Sequence, residues 1–307
     1  MPERPELSVV VTVVSGVDSV RRTLAALRPG DRTPDGVEIL VPIERDRGAT
    51  AVLAVEYDDV AFVDLGDLPL DTKAPGHLQE HERIDRRRAA GLSVARGDVI
   101  AIVEDHGTPA PGFCDAVRAA HRRLPHAAIG GVVANGIPTP INDALWLCDF
   151  GRYAPPQDEG PRETLTDVCV SYKREALLRI HDVWIDRYHE PVVHDALRAR
   201  GETLWLDPKI EVVQTRPPRP WSDRIAERFA WGRLYGDLLG RRLSPFARPF
   251  RALVSAFVAP LLLLRLTRLA AGRLPARRLG PALLRATTLL HAWSLGEALG
   301  VLFAARD

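Results

Sequence analysis

Cysteine is scarce in this 307-residue chain, which contains Cys114, Cys148 and Cys169 and no CxxC pair. An odd number of cysteines without such spacing argues against a disulfide framework and against a zinc site, and it is typical of a protein in a reducing compartment. The opening residues, MPERPE, have neither the basic start nor the apolar core of a secretory signal peptide. We therefore expect a chain that works in the cytoplasm.

Long apolar runs are also few. Residues 252–264 form an unbroken run of only 13 residues, whereas a transmembrane helix needs roughly 20. Residues 281–304 are long enough but include Arg285, His291 and Glu297. Arginines and leucines at helical spacing are typical of helices that lie in the membrane interface. A full span by the second segment, and packing of both helices on a soluble body, stay open as alternatives.

Net charge is almost absent from the whole chain, at +1, but it is unevenly divided. Residues 1–215 contain 25 Lys/Arg and 35 Asp/Glu, a net of −10, and residues 216–307 contain 16 and 5, a net of +11. A basic segment attracts anionic lipid or nucleic acid. Because this one has no recognisable nucleic-acid module and interleaves its arginines with leucine runs, we expect an anionic membrane surface as partner and no nucleic acid. The predicted location is peripheral, on the cytoplasmic face of the cell membrane.

A short apolar strand that ends in polar side chains is the most informative stretch. The β-branched run Val99–Val103 predicts a buried strand, and Glu104, Asp105 and His106 follow it directly. Open α/β sheets bind their ligands at the carboxyl ends of such strands, and carboxylate oxygens suit hard divalent cations. An acidic turn with no chemical role is the simpler alternative.

The order of the segments around this stretch resembles that of the family 2 glycosyltransferases, which have the GT-A fold. The matching segments are residues 7–14, 37–41, 87–98, 104–106, 170–174 and 190–201. The resemblance implies an α/β fold with a GT-A-type mixed, mostly parallel sheet flanked by helices. We expect a catalytic domain at residues 1–215 and a helical, membrane-associated extension at residues 216–307.

The resemblance also assigns residues to the nucleotide-sugar site. Thr12 and Val14 lie in the segment that touches the base, and Glu44 stands near the place of a nucleotide-binding aspartate, with Asp46 as the other candidate. Glu104 would either meet the ribose or support the metal ion without binding it directly. Two arginines would contact the diphosphate: Arg88, in an Arg-rich helix, and Arg233, farther along the chain, because a planar guanidinium donates bidentately.

The metal and the catalytic base are assigned in the same way. Asp105 is the principal expected ligand of Mg²⁺ or Mn²⁺, and His106 is either an additional ligand or the partner that orients a carboxylate. Glu190 opens a predicted helix and precedes Gly201 by eleven residues, the spacing that the family shows between its catalytic carboxylate and a glycine. At a helix N-terminus the charged form is favoured, as a general base requires.

Together these features predict an inverting, metal-dependent glycosyltransferase that moves a sugar from a nucleoside-diphosphate sugar to a hydroxyl acceptor, a lipid-linked or cell-envelope glycan. A noncatalytic membrane-associated scaffold with the same fold is the alternative, favoured by the departures from the family pattern at Glu44, His106 and Gln214. The retained Asp105 and Glu190 favour the enzyme. A nucleotidyltransferase is disfavoured because the chain lacks an N-terminal Gly-rich phosphate loop.

Overall fold

A mixed β-sheet organises the first two thirds of the chain. The structure is a computed structural model that describes residues 4–44, 51–66, 68, 76–217 and 219–304. Its nine strands are β1 (Leu7–Thr12), β2 (Val37–Ile43), β3 (Ala61–Asp64), β4 (Val99–Glu104), β5 (Gly107–Pro109), β6 (Ala128–Asn135), β7 (Gly160–Arg162), β8 (Cys169–Lys173) and β9 (Leu204–Gln214). They follow the order β3-β2-β1-β4-β8-β6-β9-β5, and β7 pairs with β9.

Parallel and antiparallel pairings are equally frequent among the described strands. Strands β1–β2, β1–β4, β2–β3 and β6–β9 pair in parallel. Strands β4–β8, β5–β9, β6–β8 and β7–β9 pair antiparallel. The predicted mixed sheet is therefore observed, without the predicted excess of parallel pairs. Strand β9 is continuous through Asp207 and Pro208.

Eleven α-helices accompany the strands in the described residues. They are α1 (Val17–Leu27), α2 (Ala51–Glu56), α3 (Gly76–Val94), α4 (Phe113–Arg123), α5 (Pro140–Phe150), α6 (Arg174–Leu178), α7 (His181–Trp184), α8 (Glu190–Ala199), α9 (Trp221–Arg241), α10 (Ala247–Ala270) and α11 (Ala276–Leu302).

Helix α3 lies very close to the sheet. A Cβ on Gly91 would lie 2.3 Å from Cγ1 of Val10, so only glycine permits this approach. Strand β1 is buried along its whole length, as its run of β-branched residues predicts. The close contact holds the Arg-rich face of α3 near the carboxyl ends of β1 and β4.

The carboxyl ends of three parallel strands meet at one edge of the sheet. Thr12, at the end of β1, is paired with Glu104, at the end of β4, and β2 runs alongside β1 to Ile43. The β1–α1 loop, residues 13–16, therefore lies beside the acidic motif. This is the edge at which the sequence predicts the site.

By their internal contacts the described residues form two compact units, 1–136 with 155–216, and 137–154 with 217–307. Helix α5 thus belongs to the second unit, whereas the predicted boundary after residue 215 left it in the first domain. The second unit consists of α5, α9, α10 and α11.

Glycines bring α9 and α11 into backbone contact. A Cβ on Gly236 would lie 2.1 Å from the carbonyl oxygen of Glu297, and a Cβ on Gly300 would lie 2.2 Å from that of Arg233. A Cβ on Gly232 or Gly296 would also lie 2.1 Å from a carbonyl oxygen, and one on Gly240 would lie 2.6 Å from the Cβ of Ala304. Spacing of small residues by four places them on one helix face, which lets the two helices approach closely.

Candidate functional site

The Asp105 side chain points into the β1–α1 loop. Its carboxylate accepts hydrogen bonds from the backbone N–H groups of Val14 at 3.0 Å, Ser15 at 2.8 Å and Gly16 at 3.1 Å. It is fully buried, and this burial raises the pKa of Asp105 to about 6. Asp105 therefore fixes the loop in which the predicted nucleotide-binding residue Val14 lies.

Glu104 lies beside His106, and Nδ1 of His106 lies 3.9 Å from an oxygen of Asp105. The Oε2 atom of Glu104 lies 3.0 Å from Nε2 of His106, and the Nη2 atom of Arg216 lies 3.3 Å from the same nitrogen. Burial disfavours the charge on Glu104, but His106 and Arg88 hold the pKa of Glu104 below its usual range. His106 is therefore within contact distance of a carboxylate, and both of its predicted roles stay predictions.

Arg88 is the central cation of the site. It is buried and its guanidinium forms ion pairs with Asp85 at 2.9 Å, with Asp167 at 2.7 Å and with Glu104. Burial opposes its charge, but these carboxylates raise the pKa of Arg88. Arg88 thus lies at the predicted edge, and its charge is balanced by side chains of the chain itself.

Glu190 is the first residue of α8, as the sequence predicts, and it lies beside a second carboxylate. One Glu190 oxygen accepts a hydrogen bond of 3.1 Å from the backbone N–H of Asp167. Burial, followed by the negative charge of Asp167, raises the pKa of Glu190 well above its usual range. The expectation that the helix N-terminus favours the charged form is therefore outweighed by burial and by like charge.

Three buried side chains, one of them in α8, are connected by hydrogen bonds. His194 Nε2 lies 2.9 Å from the Tyr172 hydroxyl, which lies 2.6 Å from the Tyr188 hydroxyl. Burial lowers the pKa of His194 to about 4, so its ring is neutral near pH 7. His194 Nδ1 lies 3.7 Å from a Glu190 oxygen, which places a neutral ring next to the proposed base.

Glu44 lies at the end of β2 and is held by two arginines of α3. Arg87 contacts one oxygen at 2.6 Å, and Arg83 contacts the other at 2.8 Å. Arg87 also donates a 2.5 Å hydrogen bond to the carbonyl of Val13. Glu44 therefore lies near the β1–α1 loop with both oxygens already bonded. The alternative candidate, Asp46, lies outside the described residues.

Several buried polar atoms at this edge have no hydrogen-bond partner within the described residues. They are Thr12 Oγ1 at the end of β1, His106 Nδ1 after β4, both amide atoms of Gln214 at the end of β9, and Arg88 Nε. Buried polar atoms in proteins are nearly always bonded to protein, water or ligand. Because they lie on Arg88 and at the ends of β1, β4 and β9, these atoms are candidate contacts for a ligand at this edge.

The described side chains do not fit a ready-made divalent metal site. Within the described residues there is no group of three or more His, Cys, Asp or Glu side chains that could hold a metal ion. Asp105 is occupied by backbone N–H groups, and Glu104 is occupied by Arg88 and His106. The roles of Asp105 and His106 as ligands of Mg²⁺ or Mn²⁺ stay predictions.

The structure thus brings together Thr12, Val14, Glu44, Arg88, Glu104, Asp105, His106 and Glu190 at one sheet edge. Arg233 lies exposed on α9 in the second unit, and its predicted role stays a prediction. Sequence analysis missed Arg87 as the partner of Glu44, and Asp85 and Asp167 as partners of Arg88. Asp85 could have been found from its i,i+3 spacing to Arg88, whereas Asp167 is 79 residues from Arg88 along the chain and gives no local signal.

No protein-family model matches the chain, and no curated protein matches it. Among solved structures, the chain is similar to the mannosyltransferase PcManGT from Pyrobaculum calidifontis in complex with GDP-Man and Mn²⁺. The TM-score is 0.51 at 16% sequence identity, over 98% of this chain and 88% of that chain. A likeness at this identity shows the fold alone, so the predicted glycosyltransferase fold is confirmed. Membership of family 2 stays a prediction.

Proposed function

We propose that this protein is an inverting glycosyltransferase that moves a sugar from a nucleoside-diphosphate sugar to a hydroxyl acceptor. The observation that carries this proposal is Glu190, a carboxylate with a raised pKa and an 18% exposed side chain. It lies beside Asp167, which pairs with Arg88, at a sheet edge with several unpartnered polar atoms. The glycosyltransferase fold supports the same reading.

The proposed chemistry needs one base. The Glu190 carboxylate accepts the proton of the acceptor hydroxyl while the hydroxyl oxygen forms a bond to the anomeric carbon. The bond from that carbon to the diphosphate oxygen breaks, and its electron pair leaves with the nucleoside diphosphate. Attack opposite the leaving group inverts the anomeric centre. A raised pKa strengthens Glu190 as a proton acceptor because its protonated form is favoured in this environment.

The donor is proposed to bind along the edge formed by the ends of β1, β2 and β4. Thr12 and Val14 border the nucleotide, Glu44 orders the β1–α1 loop through Arg87, and Glu104 faces the ribose. Arg88 supplies positive charge between Glu104 and Asp167. Arg233 is retained as a second candidate for the diphosphate.

A divalent ion is part of the proposal only as a cofactor to be tested. The similar mannosyltransferase was solved with Mn²⁺, and the sequence predicts Mg²⁺ or Mn²⁺. When bound, such an ion would offset negative charge on a diphosphate. Because the described side chains do not form a metal site, no step of the proposed mechanism depends on it.

A noncatalytic scaffold is the second candidate function, and one observation favours it. Glu44 and Asp105, two residues predicted to bind the donor or its metal, have their carboxylates bonded within the chain, and Arg88 pairs with carboxylates of the chain. A chain that had lost donor binding would retain such contacts for stability. The unpartnered atoms of Thr12, His106 and Gln214 favour the enzyme.

The acceptor is proposed to be a lipid-linked or cell-envelope glycan, and the site of action the cytoplasmic face of the cell membrane. The support is the net charge of +11 in residues 216–307. In addition, α10 is long and apolar enough by length and composition to cross a membrane. Sequence analysis left a full span open for residues 281–304, whereas among the described residues it is α10 that is long and apolar enough.

A ligand screen tests this function. We expect one or a few nucleoside-diphosphate sugars, out of a panel assayed with Mn²⁺, with Mg²⁺ and with chelator, to raise the melting temperature of the full chain. Sugar release or transfer from the same donors is measured in parallel, and NMR of the product gives its anomeric configuration. Stabilisation without turnover on any glycan or lipid-linked acceptor would favour the scaffold. A retained anomeric configuration would contradict Glu190 as a simple base.

A further inference from the structure

Helix α10 turns its small residues inward. Ala252, Ser255 and Ala259 are buried, and the helix packs against α11. Ser255 and Arg251 both contact the Glu297 carboxylate of α11, with 3.0 Å between the Ser255 oxygen and Oε1. These contacts fix which face of α10 is covered by the protein.

The outward face of α10 is large and apolar. Phe246, Phe250, Leu253, Val254, Phe257, Leu261 and Leu264 are exposed by 93%, 72%, 60%, 39%, 64%, 67% and 50%, respectively. At 3.6 residues per turn they form one stripe about 100° wide. Soluble proteins rarely expose so many contiguous large apolar side chains unless the surface binds something. We call these seven residues the α10 stripe.

Exposed arginines stand at both ends of the stripe. Arg242 precedes it, and Arg265 and Arg268 follow it, and all three are exposed. They belong to a segment with a net charge of +11. An apolar stripe between cationic ends matches the boundary between anionic headgroups and acyl chains.

Charge also argues against a second copy of the chain as the binding partner of the α10 stripe. Two stripes meeting face to face would bring together two segments that each carry +11, and like charges oppose such an association. Spanning is disfavoured for a different reason. One face of α10 packs against α11, where Arg251 and Ser255 contact Glu297, so the opposite face is the one that its packing leaves for lipid.

We propose that α10 docks the protein in the plane of an anionic membrane, with the α10 stripe in the acyl boundary and its flanking arginines on the headgroups. This surface goes beyond the proposed glycosyl transfer and does not depend on it. The stripe supplies affinity that persists in salt, since burial of apolar area is not screened. The arginines supply the preference for anionic lipid, which salt weakens.

Co-sedimentation of the full chain with vesicles tests the proposal without any donor sugar. We expect binding to vesicles that contain phosphatidylglycerol and weaker binding to pure phosphatidylcholine. High salt should reduce binding to the anionic vesicles without abolishing it. The triple variant Phe250→Asp/Phe257→Asp/Leu261→Asp should lose at least about tenfold in the bound-to-free ratio, because three apolar contacts are replaced by three negative charges.

Matched variants keep the outcome decisive. Val55→Asp/Leu178→Asp/Val192→Asp changes three exposed apolar residues of the first unit and should bind vesicles like the unchanged chain. Arg265→Glu/Arg268→Glu should lose the preference for phosphatidylglycerol while retaining binding to neutral vesicles. Circular dichroism checks that each variant is folded.

Three results would overturn the proposal. The first is full chain that stays in the supernatant with phosphatidylglycerol vesicles at low salt. The second is a stripe variant that is folded and binds as well as the unchanged chain. The third is an unchanged chain that binds no vesicles and is a dimer by light scattering, together with a stripe variant that is a monomer. Because no donor is present, none of these results bears on glycosyl transfer.

Discussion

At the scale of single residues, the hydrogen bonds of Asp105 show that its carboxylate holds the β1–α1 loop in place. Its carboxylate accepts bonds from the backbone N–H groups of Val14, Ser15 and Gly16 and is fully buried. Sequence analysis did not predict these bonds, because a pattern of residue types does not say which groups a side chain contacts. The role of Asp105 as the principal metal ligand stays a prediction.

The first prediction concerns the hydrogen bonds that the Asp105 carboxylate accepts from the β1–α1 loop. Asp105→Asn replaces one acceptor oxygen by a donor that faces backbone donors, so it should lower the free energy of unfolding by about 1–3 kcal/mol without any metal present. Urea denaturation in the presence of chelator measures the change. Asp115→Asn, at a 79% exposed carboxylate, is the control and should change stability by about 0.5 kcal/mol or less. An Asp105 variant as stable as the unchanged chain would mean that the carboxylate is not a structural anchor.

The second prediction concerns the pair Asp167 and Glu190. Glu190 is a base only when deprotonated, so turnover should rise with pH through its raised pKa. Asp167→Asn removes a negative charge that raises this pKa, and the rising limb should therefore move to lower pH. A pH profile of kcat measures it, with Asp186→Asn, an exposed carboxylate, as control. If the rising part of the kcat profile moves to higher pH or does not move, Asp167 does not raise the pKa of Glu190.

At the scale of elements, local patterns predicted most strands and helices, and long-range contacts explain the differences. The β-branched runs of β1 and β4 and the glycine after α8 give clear local signals. Strand β7 lies in a polar, Pro-rich segment without the apolar pattern of a strand, and it forms because residues 160–162 pair with β9. The α10 stripe was present in the sequence as apolar residues at helical spacing, but which helix face is covered depends on packing against α11.

The third prediction tests the backbone contact between α9 and α11. Gly236→Ala should destabilise the chain by about 1–3 kcal/mol or more, because its Cβ would lie 2.1 Å from the Glu297 carbonyl oxygen. Gly280→Ala is the matched control, since a Cβ there meets nothing within 4 Å. This control should be neutral or slightly stabilising, because alanine favours helix over glycine. Thermal and urea unfolding measure both. Equal stability of the two variants would contradict the observed helix contact.

At the scale of the whole molecule, a sheet edge and a basic helical segment have separate tasks in our account. The edge is proposed to bind a nucleoside-diphosphate sugar and to activate a hydroxyl with Glu190. The α10 stripe is proposed to hold the chain on lipid. The sequence predicted the edge because strand ends and polar residues coincide there. It did not predict that Arg88 would be balanced by three carboxylates, since Asp167 reaches it only through the tertiary fold.

The most direct test of the central claim compares the unchanged chain with Glu190→Gln, using a donor identified by the ligand screen. We predict a donor Kd within about threefold of the unchanged value and a fall in kcat of about 10²-fold or more, the scale expected when a general base is lost. Asp195→Asn, at an exposed carboxylate of the same helix, should retain activity. A Glu190→Gln variant that turns over the donor at the unchanged rate would contradict Glu190 as the base, and with it the proposed mechanism.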